Sequence, residues 1–275
     1  MAPEVTVIAD SISPAGIRLT TLQLRYWRPV HAELMTHRVF SRNARSSRAV
    51  PNKVLLREPI IEPAKWGSNR PGMSAGDELT GWRRLLARIV WRLLARINRA
   101  GVRLLNFAGL HKQWSNRPLE WFGCIDVLVT ATDFANWFAL RLDAGAQPEI
   151  RDLAAAMKTA MDRSHPDPLR YGEWHLPYIR PLERGLLPLQ TQIEVSVARC
   201  ARLSYAPFDG HADIAAERAR HDRLVISRPV HASPAEHQAT PDSGEPAAWH
   251  APRMHGNLRG WCQYRKSIVD EWVPG

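Results

Sequence analysis

One stretch limits the architecture more than any other. Asp77 and Glu78 open a helical pattern that runs to about Phe107. Trp82, Leu85, Leu86, Ile89, Leu93 and Ile97 fall on one side of it, and Arg83, Arg84, Arg88, Arg92, Arg96, Arg99 and Arg103 fall mostly on the other. No acid stands between positions 79 and 119. A helix of this length needs something to cover its apolar side. The basic helix over 81–105 reads in two ways: a nucleic-acid or membrane-surface footprint, or a core helix whose arginines are solvated. The apolar side is wide enough to be buried, and the core-helix reading is the one adopted.

The rest of the chain can supply a body for such a core. It has 275 residues, of which 45% are hydrophobic and 23% charged. A chain of this size buries roughly three quarters of its unfolded surface. Dominant disorder and a disulfide scaffold are both excluded. Cys124, Cys200 and Cys262 are odd in number and lack CxxC spacing, so neither a disulfide framework nor a zinc ribbon is expected. A reducing cytoplasm is the natural compartment. No secretory signal fits the first residues, and no charge-free run is long enough to cross a membrane. A net charge of +10 asks for an anionic partner or substrate without naming it.

Residues 17–27 alternate as a strand, and 29–40 have helical spacing. Residues 41–53 and 58–76 read as loops. Residues 121–141 read as a short strand or helix end followed by a buried helix, and 149–161 as an amphipathic helix. A connector rich in proline fills 164–190. Residues 193–205 suit a strand or a helix, and 229–256 read as irregular. There is no regular βαβ alternation and no phosphate-binding glycine motif.

Three constellations carry chemistry. The first is Thr36 to Arg48, with four arginines, three serines, His37 and Asn43, and no carboxylate from 34 to 57. Arginine forks, hydroxyls and free amides are what phosphates and planar anionic rings require. A solvated basic loop has the same composition, but its position after an apolar helix points to phosphate. The second is Ala139 to Arg151, where Arg141 ends an apolar run. A buried arginine needs a partner, either an acid such as Asp143 or Glu149 or a ligand. The third is Ser204-Tyr205 with His231 to His237, in a region holding six of the eleven histidines between 211 and 255. Their spacing matches no common metal-ligand pattern, and no metal is expected.

Together these pieces resemble the flavin-dependent thymidylate synthases, whose signature is Arg-His-Arg-x-x-Ser-x-Asn-Glu-x-Ser-x-Arg. His37, Arg38, Ser41, Asn43, Ser46 and Arg48 match it without a gap; Thr36 and Ala44 depart from it. Downstream, Asn136, Leu140-Arg141, Ala146-Gln147 and Glu149-Ile150-Arg151 match the family's Asn…Leu-Arg…Ala-Gln-x-Glu-Ile-Arg. Gly109 to Leu119 resembles a further family stretch, with Arg117 as the counterpart of its arginine. The elements Ala201-Arg202-Leu203-Ser204-Tyr205 and His231-Ala232-Ser233-Pro234-Ala235-Glu236-His237 also match, but they follow the other motifs where the family places them first. The order is circularly permuted, which neighbouring surface termini permit. The tail over 250–275 has no counterpart. No cysteine stands in the Pro-Cys-His setting of the cysteine-dependent synthases.

The resemblance implies an α+β fold with a central mixed or antiparallel sheet and long helices. It implies a single catalytic domain over 1–275, divided into 1–165 with the signature and helical core, a 166–192 connector, and 193–275 with the permuted flavin-binding segment and tail. It implies transfer of a one-carbon unit from methylenetetrahydrofolate to C5 of dUMP, using FAD and NADPH. His37, Arg38, Ser41, Asn43, Asn136, Ser204 and His231 would hold FAD. Glu33, Ser46, Ser47, Arg48 and Arg117 would bind the nucleotide. Arg141 would bind and polarise the pyrimidine. A homotetramer, and a phage source acting in the host cytoplasm, belong to the same resemblance. Glu33 stands where the family has glutamine, which differs in charge and donor capacity. An alternative is therefore C5 methylation or hydroxymethylation of dUMP or dCMP for modified phage DNA. Outside enzymes altogether stands a non-catalytic basic nucleic-acid-binding protein.

Overall fold

A computed structural model describes residues 2–210 and 213–271. His211, one of the clustered histidines, and the last four residues of the tail lie outside it. Strands β1 (Glu4–Ile12) and β2 (Arg18–Trp27) form an antiparallel hairpin. The second was expected. The first was not, although its Val5, Thr6, Val7 and Ile8 suit a pleated strand. The helix expected over 29–40 is shorter: α1 spans His31–Met35. Thr36 ends it by donating its hydroxyl proton to the Glu33 carbonyl at 2.7 Å, and Phe40 turns inward against Phe134 and Trp137.

The loop expected at 41–53 opens instead with strand β3 (Ser41–Ala44). Small and polar residues enter a sheet here because β4 (Cys124–Ala131) pairs with them, Ser41 opposite Thr130 and Asn43 opposite Leu128. Between them come α2 (Asn52–Leu55), α3 (Gly81–Phe107) and α4 (Lys112–Ser115). After β4 follow α5 (Ala135–Arg141), α6 (Pro148–Arg163) and the short β5 (Asp167–Pro168). The strand order β3-β4-β2-β1-β5 is antiparallel except for β5, which runs parallel to β1. The mixed sheet with helices agrees with the expected class.

The sheet has two distinct faces. Leu22, Leu24, Ile125, Val127 and Val129 pack on one side against Trp137 of α5 and Ile150, Leu153 and Met157 of α6. The alternate residues Thr21, Asp126, Leu128 and Thr130 point the other way, as strand period requires. There α7 (Pro181–Leu186) leads into α8 (Leu189–Arg202), which lays Cys200 near Leu128. The segment read as strand or helix is thus a helix, and a buried one. The connector is built into this side too: His175 and Leu176 are buried. Helix α9 (Ile214–Val225) packs on α8.

The tail is part of the body. Strands β6 (Ala239–Pro241) and β7 (Trp261–Gln263) pair, and Leu258 and Trp261 are fully buried beside Leu19 and Ala239. The reading of α3 needs correction. Its arginines face the body at several points: Arg88 and Arg92 pair with Glu62, and Arg99 donates to the Glu58 carbonyl. Only Ala95 and Val102 are buried, and the apolar side lies outward. The Glu62 carboxylate and the backbone carbonyl of Glu58, in the loop beside it, hold this side against the body.

Candidate functional site

Arg141 closes α5, and the chain reverses so that its guanidinium meets the end of α1. It donates to Glu33 Oε2 at 3.2 Å, to the Glu33 carbonyl at 3.4 Å, and to Thr36 Oγ1 at 3.3 Å. Its Nε donates to His37 Nε2 at 3.1 Å. The acid partner is therefore Glu33, more than a hundred residues away in sequence, and neither Asp143 nor Glu149. Asp143 accepts from the Gly145 amide, and Glu149 from the Ala64 amide and Gln147. His37 is buried, with Trp137 edge-on to its ring at 4.8 Å. Burial first, then Arg141 and Arg42, hold its pKa below the ordinary histidine value. A neutral ring is what the geometry needs, because Nε2 must accept from Arg141. Arg42 ties this corner to β3 through the Met35 carbonyl at 2.6 Å.

A second group forms on the other side of the sheet. Asn43 donates to the Cys200 carbonyl at 2.6 Å, and the Ser46 amide donates to the Ser204 carbonyl at 2.9 Å. The His231 amide donates to the Leu224 carbonyl at 2.7 Å. These bonds wall an open cleft lined by Asn43, Arg48, Ser204, Arg220, Arg223 and His231, with Ser233 beside them. No carboxylate lines it among the described residues. Arg220 is neutralised by the buried Glu217, whereas Arg48 and Arg223 are exposed and have no hydrogen-bond or ion-pair partner among the described residues. The donor set suits a phosphate or diphosphate.

The remaining expected residues are placed as follows. Ser41 is fully buried, and its hydroxyl meets Asn257 at 3.1 Å and Gln263 at 3.2 Å. Ser47 is buried and donates to Glu120, which also holds Arg117 and Arg28, each at 3.0 Å. Ser47 and Arg117 thus share one carboxylate, away from the cleft-lining set. Arg38 and Asn136 are exposed, and their side chains make no hydrogen bond among the described residues. Arg45, between the matched positions, is buried against Asp126 at 3.0 Å and Glu58 at 2.7 Å. Four contributors were not foreseen: Arg220 and Arg223 on α9, and Asn257 and Gln263 in the tail. The first two could have been found from the surplus of arginine just before the His231 motif. The last two stand near the buried Leu258 and Trp261 and carry no signal of their own.

A buried polar chain runs along the second face of the sheet, beneath α8 and the tail. Ser11 Oγ meets His175 Nδ1 at 2.9 Å, and His175 Nε2 meets Thr21 Oγ1 at 2.8 Å. Thr21 meets Thr130 at 2.7 Å, and Thr130 meets His237 Nδ1 at 2.8 Å. Burial pushes both histidines down to about 3. A metal-like grouping also exists, with ligand atoms of Asp242, His255 and Cys262 within 4.8 Å of one another. His255 Nε2 lies 2.7 Å from Asp242, and its Nδ1 accepts from the Gly260 amide at 3.1 Å. The ring proton therefore sits on Nε2, and an ion bound there would move it to Nδ1 at the cost of the Gly260 bond. The pair is a brace for the tail.

No family model matches the sequence, and no curated protein matches it. Two solved structures are similar in part, both of a UMP/dUMP methylase PolB from Streptomyces cacaoi. The one bound with 5-Br UMP is 16% identical with a TM-score of 0.47, and covers 58% of this chain and 89% of that chain. The one bound with 5-Br dUMP is 17% identical with a TM-score of 0.46, and covers 58% of this chain and 90% of that chain. At this identity and score the likeness is partial and does not bear on the reaction.

Proposed function

We propose that the chain transfers a one-carbon unit from methylenetetrahydrofolate to C5 of dUMP, in the manner of the flavin-dependent thymidylate synthases. The observation that supports this best is the cleft. Asn43 and Arg48 of the signature line it together with Ser204 and His231 of the permuted elements, although more than 150 residues separate the two sets. A loop that was merely basic would not gather those residues.

The cleft's guanidiniums, hydroxyls and imidazole, with no lining carboxylate among the described residues, fit a cofactor that carries phosphates. FAD reduced by NADPH would supply the hydride. Asn43, Ser204 and His231 would hold FAD in this cleft; His37, Arg38 and Asn136 belong to the α1–α5 corner on the opposite face of the sheet and would reach a flavin only from a second copy of the chain, and the buried Ser41 would act by positioning, through Asn257 and Gln263. Ser46 and Arg48 would hold the nucleotide phosphate, while Ser47 and Arg117, both engaged by Glu120 away from the cleft, would brace the loop that carries them. Arg141 would stabilise negative charge on the pyrimidine, held in place by a neutral His37 and by Glu33. No cysteine nucleophile is required.

A second reading rests on Glu33. A carboxylate at this position accepts hydrogen bonds and cannot donate one, so it suits the exocyclic amino group of a cytosine. C5 methylation or hydroxymethylation of dCMP is thereby favoured over the same reaction on a uracil if Glu33 faces the base. Incubating the pure protein with dUMP or dCMP, methylenetetrahydrofolate, FAD and NADPH tests both readings by product mass. A gain of one carbon on either nucleotide is expected. No modified nucleotide from either, with a protein that takes up no flavin and binds DNA with a steep salt dependence, would overturn both in favour of a nucleic-acid module.

A further inference from the structure

The outward side of α3 is a seam without a partner. Leu86, Leu93, Ala100 and Phe107 recur every seventh residue, and Val90, Ile97 and Leu104 do the same, four residues after one and three before the next. All seven are exposed. The alternation of three and four is the core pattern of a helix that packs along another helix. Its composition is that of a two-helix core, with Val90 and Ile97 in one set and Leu86 and Leu93 in the other.

The helix cannot turn this side inward. Trp91 donates to the Ile61 carbonyl at 2.9 Å, Ala95 and Val102 are buried, and Arg88 and Arg92 are paired with Glu62. From the fractional exposures of its side chains, with Trp82 at 70% and Phe107 at 93%, the outward strip amounts to about 1,000 Å² of apolar surface. The largest patch on an ordinary monomer is roughly 300–600 Å². A standard interface takes roughly 800 Å² from each partner. The strip alone is therefore large enough for a stable dimer.

We infer that the occupant is a second copy of this chain, with α3 packed on α3 across a two-fold axis. Such an axis makes one strip its own complement. A lipid surface would need only a broad apolar side and would not select the seven-residue repeat. Arg96 and Arg103 flank the seam, and no acid lies on the helix to meet them. Like charges therefore oppose assembly, and added salt strengthens it. This inference rests on the surface of α3 and not on the catalytic reading.

Sedimentation velocity of the full chain tests it, at about 10 µM protein and at low and at about 0.5 M salt. A dimer, or a larger assembly of even number, is expected, with tighter association at high salt. Leu93→Glu with Ile97→Glu is expected to weaken association at least ~100-fold, with an unchanged circular dichroism spectrum, because both side chains are exposed on the single chain, and with a melting temperature that no longer rises with protein concentration. A second variant, Ile97→Cys, is expected to cross-link two copies on oxidation. A monomeric wild type at high salt overturns the proposal, as does a folded double-glutamate variant that assembles like the wild type. A monomer that floats with phosphatidylglycerol vesicles and leaves them in high salt overturns it in favour of a bilayer.

Discussion

Arg141 and Glu33 form an ion pair at 3.2 Å across the corner where α5 and α1 meet. Both side chains are partly open to solvent, so the pair is accessible to a ligand. Under the proposed reaction Arg141 carries the activation of the ring. Arg141→Ala should lower kcat/KM by on the order of 10²–10³-fold. Arg141→Lys should recover only part of that loss, because a point charge lacks the guanidinium's fork. Steady-state product formation followed by mass is the measurement; an alanine variant with wild-type turnover removes Arg141 from the chemistry.

Glu33→Gln should shift the choice of nucleotide. The amide can donate as well as accept, so turnover of dUMP should rise relative to dCMP by roughly tenfold, the scale of one rearranged hydrogen bond. Competition between the two nucleotides in one vessel reads the ratio directly. An unchanged ratio would mean that Glu33 only positions Arg141.

Arg48 and Arg223 line the cleft without a protein partner among the described residues. Removing either as Arg48→Ala or Arg223→Ala should weaken flavin or nucleotide binding about tenfold and reduce its salt dependence. Both are exposed, so melting temperature should not move. Fluorescence titration with FAD and with dUMP separates the two ligands. Tight binding by both variants would exclude the cleft as a phosphate site.

His175 and His237 are buried and titrate near 3, well below an unfolded histidine. Their folded forms are neutral, while the unfolded chain takes up protons below about pH 6.5. Stability is therefore full above that value and falls as pH drops toward 3. Each histidine contributes a slope of about 1.4 kcal/mol per pH unit within that window. Urea unfolding between pH 7 and 4 measures it. His31 and His37 are held below the ordinary histidine value as well and add to the same slope, so His237→Gln should lower it by about 1.4 kcal/mol per pH unit, one histidine's share; an unchanged slope would place the acid sensitivity elsewhere.

Asn257 of the tail bonds to the Ser41 hydroxyl at 3.1 Å and to the Val39 carbonyl at 2.9 Å. Asn257→Ala should destabilise the fold by about 0.5–1.5 kcal/mol, the net worth of an ordinary hydrogen bond, because the Val39 end is exposed and Ser41 keeps Gln263. Thermal unfolding tests it. A neutral effect would mean that Gln263 satisfies Ser41 alone.

The elements legible in the sequence were those with a strong apolar period: β2, α6 and the long α3. Their own side chains dictate the backbone. The candidate site was legible as residue types, because guanidiniums, hydroxyls and a histidine without nearby acids have few uses. What the sequence left open were matters of partnership. Arg141 had acids close by in the chain, but Glu33 takes it, since folding of α5 against α1 sets the distance and sequence separation does not. Polar Ser41 and Asn43 became a strand only because β4 offered them a ladder, and the tail became core only where Leu19 was waiting for Leu258 and Trp261. The orientation of α3 was the sharpest divergence. Periodicity defines two sides of a helix, but which one turns inward is decided by the neighbours, and here the Glu62 carboxylate and the Glu58 backbone carbonyl hold the arginines in and leave the apolar side to the outside.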